Sequence, residues 1–202
     1  MTDVLVPGGR DVRGILDEPA DAPNAIVVAC PPHPQHGGSR SDRRLTAVSE
    51  TLTAAGIACL RFDYGPWEEG VGEREDVRNA IRWAGERADR VGVFGFSFGA
   101  AQSLLATADV EVAVSAVSVL APPARLGPDL DAVAAYDRLD CPVQVCYGER
   151  DTTVDSEPIV DLARERDDEV VTFSADHFFV GQHDAIASEV GSFFERTVAG
   201  GA

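Results

Sequence analysis

The sequence predicts an α/β domain: a mostly parallel central sheet with helices on both faces and no cap domain. Three observations predict it. Short β-branched apolar runs alternate with longer stretches of helical periodicity, the pattern of strands joined by crossover helices. One junction, at residues 91–107, passes from strand to helix through a tight turn with glycine at both ends. The segment 121–142, rich in Pro, Gly and Asp, is long enough to be an insertion but too short to fold alone. All 202 residues therefore read as one domain with at most a slight lid.

In chain order, Val4 to Val6 and Val12 to Leu16 suit a hairpin turning through Pro7-Gly8-Gly9. Ala25-Ile26-Val27-Val28-Ala29-Cys30 has the unbroken apolar content of a strand buried on both faces. Residues 42–55 follow as an amphipathic helix, with Leu45, Val48, Leu52 and Ala55 on one face and Gly56 as its stop. Residues 58–63 form the next strand, and 73–87 a helix with Val77, Ala80, Ile81 and Ala84 inward. Residues 91–95, 112–120, 143–147 and 170–173 read as strands. Residues 98–107, 158–166 and 185–198 supply the remaining helices.

Composition excludes several function classes. Basic residues number 17 against 34 acidic, a net charge of −17, and none of the 17 is Lys. Such a surface repels phosphate backbones and anionic headgroups, so neither a nucleic-acid nor a membrane partner is expected. Abundant carboxylates without lysine resemble proteins of salt-loving microbes, in which concentrated salt screens the self-repulsion. No signal peptide is visible at the start, and no apolar run approaches the ~18 residues of a transmembrane helix. Cys30, Cys59, Cys141 and Cys146 form no C-x-x-C pair, and three of them lie in strand-like runs as small hydrophobes. A reduced, cytoplasmic chain is expected. Nothing in the sequence specifies an oligomeric state.

The chemistry converges on Gly95-Phe96-Ser97-Phe98-Gly99, a G-x-S-x-G motif. Alone the motif is weak. Its position between an apolar strand and a helix is the setting a nucleophile elbow requires, with the Ser97 hydroxyl held clear of the sheet at the positive end of a helix. Serine needs a base to take its proton, and the base needs an acid to hold its tautomer. His177 lies just past the last strand and Asp151 just past the preceding one, so both leave the sheet at the same edge as Ser97. Asp155 is the second candidate acid. Asp176 ranks below it because adjacent side chains rarely face one another.

An oxyanion hole requires two N–H donors. Phe98 supplies one as the first residue of the helix. The other is expected from the loop Pro31-Pro32-His33-Pro34-Gln35-His36-Gly37-Gly38, where proline has no N–H. That leaves His33 first and Gln35 second. His33 and His36 also stand at H-x-x-H spacing, but without a convincing third ligand no metal is expected.

Together with Arg61-Phe62-Asp63-Tyr64-Gly65-Pro66 and Asp176-His177-Phe178-Phe179, these motifs resemble the α/β-hydrolase fold. The resemblance is to its small lidless, dienelactone-hydrolase-like members, and covers roughly residues 25–195. It implies a serine hydrolase acting on a small-molecule ester or related acyl bond through Ser97, His177 and Asp151, with no cofactor. It also implies substrate contacts at Gln35, Tyr64, Trp67, Phe96 and Phe178. There are two departures. Pro31 replaces the first His of the family's loop, and Tyr64-Gly65-Pro66-Trp67-Glu68-Glu69-Gly70 replaces an Arg-Gly-x-Gly-x-Ser turn. Dienelactone hydrolases proper are expected to use Cys as nucleophile, so that activity is not carried over to a serine. A thioesterase, amidase or peptidase on the same residues, or a non-catalytic small-molecule-binding protein on this fold, are the alternatives.

Overall fold

The computed structural model describes residues 1–199. Eight strands make one sheet: β1 (Thr2–Val6), β2 (Val12–Asp17), β3 (Ala25–Cys30), β4 (Ala58–Asp63), β5 (Arg90–Phe96), β6 (Ala116–Leu120), β9 (Val143–Gly148) and β10 (Glu169–Phe173). Two short strands, β7 (Arg125–Gly127) and β8 (Leu130–Asp131), form a separate hairpin. The helices are α1 (Arg43–Ala54), α2 (Val71–Gly85), α3 (Phe98–Thr107), α4 (Ala132–Tyr136), α5 (Glu157–Glu165) and α6 (His183–Phe194).

Sheet order is β1-β2-β4-β3-β5-β6-β9-β10. The first two pairings are antiparallel, and every pairing from β4 through β10 is parallel. The period-2 alternation of β3 sorts its side chains onto two faces. Ile26, Val28 and Cys30 pack with α2, α3, α4 and α5, and Ala25, Val27 and Ala29 with α1 and α6. Both faces are covered, which is why the parallel strands read as unbroken apolar runs. The chain steps from β3 outward to β4 and then back past β3 to β5. This reversal opens a crevice at the carboxyl ends of β3 and β5, the place where such sheets bind ligands.

The structure departs from expectation at a few boundaries. Residues 112–115 are not strand: the β6 ladder with β5 runs only from Ala116 against Gly92, and the chain joins it through a single bond from the Ser115 N–H to Val91 O at 2.7 Å. The second helix begins at Val71 rather than at 73, because the Glu73 carboxylate reaches back to the Gly70 N–H at 2.7 Å and caps it. The last helix starts at His183 and passes into a π-helical turn at Glu195–Ala199. Segment 121–142 holds β7, β8 and α4 and forms no cap. No helix among the described residues is long and apolar enough to cross a membrane.

Candidate active site

The turn that carries Ser97 is made by close approach. A Cβ on Gly95 would stand 2.3 Å from the Gly99 carbonyl oxygen, and one on Gly99 would stand 2.3 Å from that of Cys30 and 2.4 Å from that of Pro31. Only hydrogen fits at either position, and β3, β5 and α3 meet there. Ser97 is held at φ 55°, ψ −118°, outside the regions an L-residue prefers, while its N–H donates to Leu120 O at 2.8 Å. The strain places the hydroxyl at the mouth of the crevice.

His177 comes from the loop after β10 and Asp151 from the turn after β9. Ser97 Oγ lies 3.0 Å from His177 Nε2, and His177 Nδ1 lies 2.7 Å from Asp151 Oδ2. A carboxylate only accepts, so Nδ1 carries the proton and Nε2 is left as acceptor for the serine O–H. The other Asp151 oxygen accepts from the N–H groups of Thr153 (2.8 Å) and Val154 (3.2 Å), which fixes the carboxylate's plane. The two loops are tied together: the Arg150 N–H donates to Ala175 O at 3.1 Å, and its guanidinium donates to Ser174 Oγ and O. Asp155 is turned away and accepts from the Glu157 N–H, and Asp176 accepts from the Phe178 N–H.

Neither the Phe98 N–H nor the His33 N–H has an acceptor among the described residues, and the two rings pack on each other with centroids 4.8 Å apart. The Gln35 N–H, in contrast, donates to His33 Nδ1 at 3.3 Å. Burial, then the adjacent His36, lower the His33 imidazole's pKa, so that ring stays neutral at ordinary pH. His36 stacks on it at 4.4 Å. Among the described residues no three His, Cys, Asp or Glu side chains are grouped to hold a metal ion. Burial pushes the Cys30 and Cys59 thiols up to about 12, so neither supplies a thiolate.

The cleft around Ser97 has a volume of about 550 Å³. Phe96, Phe98, Phe178, Pro123, Leu126 and Val154 give it apolar walls, with His33 and His36 on the loop side. Of the expected substrate contacts, Phe96 and Phe178 are in the lining and three are not. Gln35 is exposed on the outer side of a single 3-10 turn, Pro34–His36. Tyr64 is buried, its hydroxyl donating to Pro31 O at 3.1 Å, because it shares strand parity with Leu60 and Phe62 and follows them into the core. Trp67 stands behind the wall, 4.7 Å from the His33 ring and 5.8 Å from that of Phe98. Tyr64 and Trp67 thus brace the loop from behind. Replacing Tyr64 with Phe is expected to lower stability by about 1–3 kcal/mol, because Pro31 O loses its partner in a buried place. A denaturant midpoint that falls with an unchanged slope would show it.

The 64–70 turn, where the sequence leaves the resembled pattern, is anchored by buried carboxylates. Asp76 accepts from the Gly65 N–H (2.9 Å) and Arg10 Nε (2.6 Å), and Glu73 accepts from the Glu68 and Gly70 N–H groups. Two lining residues carry no signal of a site role in the sequence. Arg44 and Asp42, at the start of α1, face the cleft as an ion pair. In the sequence Asp42 stands only as the first residue of the helix expected over 42–55; in the structure it is that helix's N-cap. The contact of Arg44 Nη1 with Phe178 O, at 2.9 Å, spans 134 residues of chain.

Sheet order and elbow define an α/β hydrolase. Within that class the chain belongs to the dienelactone hydrolase family, whose model matches residues 63–192, a span that includes Ser97, Asp151 and His177. Solved structures agree in fold. An alpha-beta serine hydrolase homologue from Coxiella burnetii is 24% identical, with 95% of this chain and 96% of that one covered at a TM-score of 0.80. A lidless a/b serine hydrolase from Xanthomonas campestris is 22% identical over 96% and 94%, at 0.79. A dienelactone hydrolase from Anabaena variabilis is 23% identical over 97% and 96%, at 0.74. A search of curated proteins found no match.

Proposed function

We propose that the protein is a serine hydrolase of small esters or related acyl bonds, working through Ser97, His177 and Asp151. The observation that carries this reading is the unbroken hydrogen-bonded chain from serine to imidazole to carboxylate, at 3.0 and 2.7 Å, at the mouth of an apolar cleft. His177 Nε2 takes the hydroxyl proton as Ser97 Oγ attacks the acyl carbonyl, and Asp151 stabilises the imidazolium that results. The Phe98 and His33 N–H groups, unoccupied by other acceptors, receive the developing oxyanion. Collapse expels the alcohol, which leaves with the proton from His177. Water then enters by the same route, gives its proton to His177, and frees the acid and the serine. No metal or redox group is needed for any step.

Asp151→Asn is expected to lower kcat by about 10⁴-fold with a much smaller change in KM. The amide NH₂ can face Nδ1 as a donor, which moves the ring proton to Nε2 and removes the acceptor that Ser97 requires. The reading itself is tested with short-chain p-nitrophenyl esters and a fluorophosphonate probe, assayed in concentrated salt to suit the acidic surface. Turnover and covalent labelling by the wild type, both lost in Ser97→Ala, support it; wild type and Ser97→Ala equally inert to both would sink it. Parallel thioester and anilide substrates then rank the bond types.

A further inference from the structure

The charge pattern of the cleft narrows this reading to a substrate class, and the inference rests on the hydrolase assignment above. Two lining side chains are formally charged, Asp42 and Arg44. An arginine here would serve as an anion receptor, since its guanidinium lies 4.0 Å over the Phe96 ring, and that ring is 5.4 Å from the His177 imidazole. It is already committed. Arg44 Nε donates to Asp42 Oδ1 at 2.8 Å and Nη2 to Oδ2, closing a bidentate pair, while Nη1 donates to Phe178 O at 2.9 Å. Both side chains are mostly buried, 15% and 9% exposed, so solvent screens the pair poorly.

We propose that the cleft selects esters with an uncharged, apolar acyl group, flat enough to lie among Phe96, Phe98 and Phe178, and that Asp42 is the residue that sets this selectivity. An acyl carboxylate entering the cleft would lose water against apolar walls and meet a cation already neutralised, with the Asp42 oxygens beside it. Discrimination arises from this repulsive element as much as from the aromatic walls. Asp42 also caps α1 by accepting from the Arg44 N–H at 2.9 Å. Asn and Ser cap nearly as well, so the charge can be removed without removing the cap.

The test compares kcat/KM for p-nitrophenyl benzoate and its 4-carboxy analogue, a rigid pair whose added carboxylate cannot attack its own ester. The wild type should favour the neutral ester by about tenfold or more, and Asp42→Asn and Asp42→Ser should each cut that preference by about fivefold or more. Arg44→Gln, which leaves the carboxylate unpaired, should widen it. The comparison is made at ~0.15 M and ~1 M salt, where the screening length falls from about 8 to 3 Å. A preference due only to the net charge of −17 would vanish at the higher salt, and the variants would leave it unaltered. That outcome overturns the proposal, as does a wild type that turns over both esters equally while Ser97 still takes a fluorophosphonate. If Ser97 neither labels nor turns over the benzoate, the hydrolase reading falls and this inference with it.

Discussion

Ser97→Ala is expected to lower kcat on a p-nitrophenyl ester by on the order of 10⁶-fold, leaving the fold intact. The size of the effect follows from the proposed mechanism, in which the three residues act as a unit. His177 Nε2 has one hydroxyl to activate, at 3.0 Å, and the buried thiols are held protonated, so nothing nearby substitutes as nucleophile. His177→Ala is expected to cost nearly as much, and the double variant little more than either single one. KM should move far less than kcat in all three, because the walls that hold the acyl group are Phe96, Phe98 and their neighbours rather than the triad. The dependence of steady-state rate on substrate concentration separates the two constants, and thermal melts confirm that each variant is folded. Additive losses across the pair would show that serine and histidine act independently.

The second large effect is structural. Gly99→Ala should lower stability by about 3 kcal/mol, at the upper end for overpacking, because the new methyl meets backbone oxygens of Cys30 and Pro31 that no rotamer change can move aside. For a chain of this length that corresponds to roughly 6–12 °C in Tm. The same displacement must separate the 31–38 loop from α3, pulling the His33 and Phe98 N–H groups apart. Residual activity per folded molecule should therefore drop as well. Ala100→Gly, one residue further into the same helix, makes no clash: it loses about 1 kcal/mol of helix propensity and the burial of one core methyl. A Gly99→Ala protein as stable and as active as the wild type would contradict the close-packed elbow.

Much of this was legible in the sequence because it was local. The continuous apolar run of β3 is the signature of a strand covered on both faces, and the strand–turn–helix around Ser97 depends on residues within a dozen positions of it. His177 and Asp151 were reachable by topology, since each follows a strand whose carboxyl end lies on the crevice side. Wall residues were harder. Tyr64 looked like a substrate contact beside an unusual turn, yet its parity with Leu60 and Phe62 in β4 sends it inward. Gln35 lies outside the cleft lining, and the direction of a side chain on a three-residue 3-10 turn has no periodicity to read. Arg44 was missed because its meaning lies in two long-range contacts, with Phe96 and Phe178, that no spacing encodes.

The most direct measurement is to quench a reaction with an activated ester in the first turnover, digest the protein, and weigh the peptide carrying residues 95–99. The account predicts added mass equal to one acyl group on Ser97, formed in a burst and decaying at the steady-state rate. A peptide that stays unmodified while product accumulates, or an acyl group found on another side chain and kinetically competent there, would contradict it.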